Sequence, residues 1–378
     1  MPAVVVGIRG LLDKELDKDE VPPAAPRALP CVCPLLQRER KRHKHIKREE
    51  LLSSSLTSLG HQTMDSNMTV VRPAYFIIRG FSGTPHINYY YFFLLVLYIM
   101  SVVENGVVMA LICLDQSLKT PKYIAVFNLA FVDVVGSSAL VPKVFDTFWF
   151  DHKKITYSNC LTYEFFNFLT LTMQSLNLVV LSFDRLVAIT FPLRYQIIVS
   201  LKTMFSLIAA CWIIAILVNL IAVGLLTRLS FCRSVVINSY FCDHGPLYRL
   251  ACNDYRPNDI ISIVLPVSII WAPLLFILIS YMCIGAALAK ISGGQDRMKA
   301  FKTCSAHIML VIIYYLPILV TFSVAAKMPR NARIICLSLA AVIPPALNPL
   351  IYVLQTQEIK LSLKKVFKRM KQSKIAVK

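Results

Sequence analysis

Seven stretches of this chain are each long and apolar enough to cross a lipid bilayer, and they leave little room for anything else. They fall at 89–114, 123–147, 160–189, 204–227, 260–289, 306–326 and 334–354. A spanning helix needs about 20 such residues, because lipid offers its backbone no outside hydrogen-bond partner. The stretches are apolar all round and not along one stripe, as in helices buried in lipid or protein. The connections are short except for 228–259. The expected fold is an all-α membrane protein, a seven-transmembrane helix bundle followed by a short cytosolic amphipathic helix.

Charge fixes the topology. Of the residues 56% are hydrophobic and 16% charged, yet the formal net charge is +19. Disorder, collagen-like structure and a small disulfide scaffold are excluded by those figures. The segments around 115–122, 184–202, 290–302 and 355–378 hold 17 basic and 4 acidic residues; the opposite-side segments hold 12 and 7. The positive-inside rule places the first set in the cytosol, which leaves residues 64–88 outside. The expected location is the plasma membrane, multi-pass, with an extracellular N-terminus and a cytosolic C-terminus. In 355–378, Ile359, Leu363, Val366, Phe367 and Met370 share one face with lysines opposite, which suits a helix on an anionic inner leaflet. Membrane lipids are therefore expected partners, and nucleic acid is not.

Residues 1–63 read differently, with Pro-rich stretches, an acidic-basic mixture at Asp13–Glu20 and a basic run at Arg38–Arg48. They lack a secretory signal pattern, and Met64 opens a segment that reads as a natural start. The extension is expected to be disordered and basic, an upstream stretch that is not native to the protein. Cys31, Cys33, His43 and His45 match no zinc spacing, and no metal or other cofactor is expected. The expected organisation is thus 1–63 extension, 64–88 extracellular N-terminus, 89–354 seven-transmembrane bundle and 355–378 amphipathic tail.

Cys160 opens the third span, and Cys232, Cys242 and Cys252 lie in the long outer loop. Four cysteines in an oxidising compartment should pair, and three pairings are open to them. Asn67-Met68-Thr69 is a glycosylation sequon ahead of the first span. The acids Glu104 and Asp133 lie well inside spans, where ionisable groups are costly and mark function. Asn105, Asp133 and Asn348 are expected to form a polar centre. Pro266, Pro273, Pro317, Pro344, Pro345 and Pro349 kink the later spans around it. No internal repeat of a transporter and no HExxH, GxSxG or paired-carboxylate set of an enzyme stands in the spans.

Six ordered motifs then resemble one family. Leu181-Ser182-Phe183-Asp184-Arg185-Leu186-Val187-Ala188-Ile189-Thr190-Phe191-Pro192-Leu193-Arg194-Tyr195 resembles the MAYDRYVAICxPLxY signature of odorant receptors, a branch of the rhodopsin-like G-protein-coupled receptors. Leu118–Tyr123 is similar to LHTPMY, Lys299–His307 to KAFSTCxSH, and Pro345–Tyr352 to PMLNPxIY. Ser280-Tyr281 and the loop's Phe241-Cys242-Asp243 also match. The resemblance covers about 64–372.

It implies an odorant receptor that binds a small molecule in the outer half of the bundle and activates a heterotrimeric G protein of the stimulatory olfactory type, and not an enzyme. It implies disulfides Cys160–Cys242 and Cys232–Cys252. Arg185, beside Asp184, would be the switch arginine, with Tyr281 and Tyr352 supporting the active packing. Pro349 would complete the polar centre with Asn105, Asp133 and Asn348. The ligand would sit between the third, fifth, sixth and seventh spans. Helical spacing from Cys160 points Asn167, Phe168, Leu171 and Thr172 toward it, and Tyr315 and Phe322 approach from the sixth span.

Departures from the family pattern include Leu186 for the DRY tyrosine, Thr190 for the AIC cysteine, and Glu104-Asn105-Gly106. Gln174 stands where the family carries Glu, which removes a negative charge that a cation beside Asp133 would need. These changes, with Tyr314-Tyr315-Leu316 in the sixth span, are more similar to fish-type odorant receptors than to mammalian ones.

Overall fold

The structure is a computed structural model that describes residues 70–290, 293–323 and 328–376. The extension 1–63 and Asn67 lie outside the described residues. Among those described, seven helices are long and apolar enough to cross a membrane. They are α1 Ile87–Leu114, α2 Pro121–Trp149, α3 Tyr157–Thr190, α4 Leu201–Thr227, α5 Arg256–Ala289, α6 Gly294–Ser323 and α7 Arg330–Gln355. A further helix, α8, covers Gln357–Ala376.

Local chemistry sets several helix starts. The Thr156 hydroxyl accepts the Asn159 N–H at 3.3 Å to open α3, and Ser200 does the same for the Thr203 N–H at 3.1 Å to open α4. Pro121 opens α2, where its missing N–H costs nothing. Helix α6 starts twelve residues ahead of its apolar stretch, since its basic first turns are helical but too polar for a hydropathy reading to include.

Helix α3 is the hub and packs against α2, α4, α5 and α6. Of its most apolar window 61% is buried, against 17% for α5. That contrast explains their compositions: α3 faces protein and tolerates polar side chains, while α5 turns apolar residues such as Ile263, Leu275, Ile279 and Met282 outward. Helix α8 tucks Ile359, wholly buried, with Leu363 and Val366 against the cluster formed by α1, α2 and α3. The side chains of Phe367 and Met370 lie outside the described residues. Lys365 reaches Asp115 at 3.6 Å, and Glu358 reaches Lys122 at 3.6 Å. Hydrogen bonds from the Ser117 hydroxyl and N–H pull the Asp115 carboxyl down to about 2, so it stays charged opposite Lys365.

The end of the bundle where α3 begins carries a cap that the hydropathy pattern does not reveal. Strand β1, Tyr75–Ile78, pairs antiparallel with β2, Lys154–Thr156, and parallel with β3, Val236–Ile237. Phe76, Ile78, Ile155, Ile237, Leu247 and Tyr248 close a small core beneath this sheet. Two disulfides staple it, Cys160–Cys242 and Cys232–Cys252. In the chain-entropy picture, cross-linking residues 82 apart is worth about 4.5 kcal/mol, and residues 20 apart about 3.3 kcal/mol. Cys160→Ser is therefore expected to lower thermal stability and surface delivery more than Cys232→Ser. Equal melting of both variants with the wild type would show that neither bridge carries the cap.

Candidate functional site

Beneath the cap a cavity of about 130 Å³ opens between α2, α3, α6, α7 and the long loop. Asn167, Thr170, Leu171 and Gln174 line it from α3, a run at i, i+3, i+4 and i+7 that forms one helix face, with Phe168 beside Asn167. Gly136 and Leu140 of α2 face them, with Ile318 and Thr321 of α6 and Leu337, Ala340 and Ala341 of α7. Tyr240, Phe241 and Asp243 of the loop form the roof, the Phe241 ring 6.3 Å from that of Phe168. At the rim, Arg333 donates to Asp243 at 2.7 Å.

Three of the groups expected around a ligand do not line this cavity. Thr172 does not line the cavity: it lies five residues past Asn167, about 140° round the helix, and its hydroxyl takes a 3.3 Å contact from Asn219 of α4. Tyr315 sits a turn deeper than Ile318, buried in the core of α3, α5, α6 and α7, its hydroxyl 2.8 Å from that of Ser175. The fifth span contributes no lining residue, because the loop wedges between it and α3; the Tyr248 hydroxyl lies 3.5 Å from that of Ser262 on α5. The side chain of Phe322 lies outside the described residues.

The cavity floor touches the polar centre. Gln174 donates to one carboxylate oxygen of Asp133 at 2.8 Å, and Asn348 donates to the other at 2.7 Å, which ties α2 to α3 and α7. Asn105 joins α1 to α7 by donating to the Pro345 carbonyl at 2.8 Å. That carbonyl is free because its helical partner would be the N–H of residue 349, a proline. The same device recurs in α5: Pro273 cannot bond the Ile269 carbonyl, and Ser175 of α3 donates to it at 2.6 Å. Where Pro266 and Pro273 bracket Val267–Trp271, the helix widens into a π turn.

At the end remote from the disulfides, Asp184 accepts from the Tyr195 hydroxyl at 2.7 Å, and its second oxygen lies 3.7 Å from Nε of Arg185. Tyr281 and His307 stack, and Tyr281 donates to Nδ1 of His307 at 2.8 Å. Nε2 of His307 lies 3.1 Å from the Leu178 carbonyl, which can only accept, so Nε2 carries the ring proton. This arrangement ties α6 to both α3 and α5. The Tyr352 hydroxyl is buried without a hydrogen-bond partner.

Sequence reasoning missed a buried pair. Glu164 lies one turn into α3 after Cys160 and is 2% exposed; its Oε1 lies 3.0 Å from Nδ1 of His244, two residues after Cys242. Its position inside the third apolar stretch was the signal, and counting it with the outer charges hid it. His307 was read only as the end of the Lys299–His307 motif, and Arg333 only as one of the outer-side charges.

The olfactory receptor family model matches residues 94–370. Mouse olfactory receptor 2A7 is 36% identical over 81% of this chain and 98% of its own length, and human olfactory receptor 2A12 is 34% identical over 80% and 98%. The chain belongs to the olfactory receptor family. It is a multi-pass plasma-membrane receptor, not an enzyme, with a small-molecule ligand and a heterotrimeric G protein as its partners. Squid rhodopsin shares the fold, with a TM-score of 0.59, 20% identity, and coverage of 77% of this chain and 88% of that one. Mouse, human and rat olfactory receptors at 31–36% identity give the fish-type sub-assignment of this olfactory receptor no support.

Proposed function

We propose that the odorant binds in the cavity beneath the cap, and that the cap faces the outside of the cell. Support comes chiefly from the shared residue Gln174, which lines the cavity and is also bonded to Asp133, itself bonded to Asn348. A ligand that fits one packing of α3, α6 and α7 better than another shifts the population between them, and its differential affinity sets how far. At the opposite end, Arg185 leaves Asp184 and meets the G protein as α6 moves away from α3. The Tyr281–His307 link then breaks, and Tyr281 and Tyr352 turn inward to hold the open state. The G protein is of the stimulatory olfactory type, and α8 lies on anionic lipid of the inner leaflet.

The test is cAMP production in cells expressing the full chain against a panel of small volatile compounds. Wild type is expected to respond to at least one compound. Arg185→Ala is expected to lose that response entirely while reaching the surface and binding the same compound. A surviving response in Arg185→Ala would remove that residue from the coupling step. Loss of surface delivery instead would make its role structural.

A further inference from the structure

The polar groups around the cavity are unequally free. Thr170 already donates to the Phe166 carbonyl at 2.9 Å, and Thr321 to the Pro317 carbonyl at 2.8 Å. Gln174 donates one amide hydrogen to Asp133. The two charged lining residues, Asp243 and Arg333, neutralise each other across 2.7 Å. The Tyr240 hydroxyl makes no hydrogen bond among the described residues, and the amide nitrogen of Asn167 is buried and likewise has no hydrogen-bond partner. The same side chain also lines a second, water-sized void of about 10 Å³, which shares Leu140, Tyr240 and Phe241 with the main cavity. A buried donor without an acceptor costs about 1–3 kcal/mol, which a suitable ligand atom would recover.

Size narrows the ligand further. An engineered apolar cavity of about 150 Å³ holds one benzene molecule, close to the volume here. Beyond Asn167 and the Tyr240 hydroxyl the wall is largely aliphatic and aromatic, with no unpaired charge among its described residues to hold an ionic group.

Resting on the reading of this cavity as the odorant site, we infer that the ligand is a benzene-sized neutral molecule with a hydrogen-bond acceptor, such as an aldehyde, ketone or ester, whose oxygen accepts from Asn167. Amines and carboxylic acids are disfavoured, because Asp243 and Arg333 hold each other and the rest of the wall is uncharged.

Benzaldehyde and styrene test this, since they share a shape and differ in a carbonyl oxygen. Binding is measured with the full-length receptor in lipid nanodiscs, with benzylammonium and benzoate as charged controls. Wild type is expected to bind benzaldehyde about tenfold more tightly than styrene, the value of one hydrogen bond, and the charged probes more weakly than either. Asn167→Leu, close in shape, and Asn167→Val, which also lacks the donor, are each expected to erase the difference. Ala340→Phe fills the cavity and is expected to abolish binding of both neutral probes. A carbonyl preference that survives in both Asn167 variants, with Ala340→Phe still blocking, would overturn the inference and leave the cavity reading standing. Unchanged binding in Ala340→Phe would overturn the cavity reading itself. Equal affinities of the neutral probes in wild type, tight binding of a charged probe, or binding of none would each overturn the inference.

Discussion

Glu164→Ala is expected to lower the receptor's thermal stability by about 3–5 kcal/mol and to keep most of it from the cell surface. The carboxyl is buried and meets His244 at 3.0 Å, while the second oxygen of Glu164 and the Nε2 of His244 have no other partner. Removing one member of a buried pair strands the other, and that stranding supplies most of the cost. Glu164→Gln keeps an oxygen for His244 and is expected to lose much less. Replacing both residues at once, as Glu164→Leu with His244→Phe, is expected to recover much of the loss, because the desolvated groups are then gone. Melting of the purified variants in detergent decides the point. If Glu164→Ala melts with the wild type, the pair carries no stability, and the Cys160–Cys242 bridge alone holds the loop to α3.

The second large effect is expected at Asp133. Each of its carboxylate oxygens takes one amide hydrogen, from Gln174 and from Asn348. Asp133→Ala leaves both amides buried and unpaired, at about 1–3 kcal/mol each. Asp133→Asn keeps one acceptor oxygen and turns an N–H₂ toward the other donor, so its loss should lie between wild type and Ala. The order wild type, Asn, Ala in melting temperature, read on receptor purified without ligand, checks this. An Asn variant less stable than Ala would mean that the carboxylate is not held as an acceptor on both sides.

Much of the bundle was legible because lipid imposes one demand on every span, and apolar residues over about 20 positions satisfy it visibly. The N-terminal strand was illegible for the opposite reason. Tyr75–Ile78 is only four residues long and pairs with partners about 80 and 160 positions away, so nothing local marks it. The cavity face of α3 was half legible. Asn167, Phe168 and Leu171 follow from helical spacing, but spacing alone could not choose between Thr170 and Thr172, because the rotation of α3 is set by what packs against it. Gly136 of α2 lets Thr170 approach; a side-chain carbon built on that glycine would stand 2.9 Å from the threonine oxygen. The loop's displacement of α5 from the cavity was illegible too, since it depends on where Tyr248 lodges once the disulfides have closed.

The two proline-freed carbonyls have a kinetic meaning. Ile269 and Pro345 are each bonded by a side chain of a neighbouring helix, not by their own. For α5 to slide along α3, or α7 along α1, such a carbonyl must first stand bare, and the proline that freed it can never take it back. A bare buried carbonyl costs about 1–3 kcal/mol, so intermediate positions of these helices are hilltops and not resting places. Displacing either helix therefore meets this cost, which an unbroken helix would not impose.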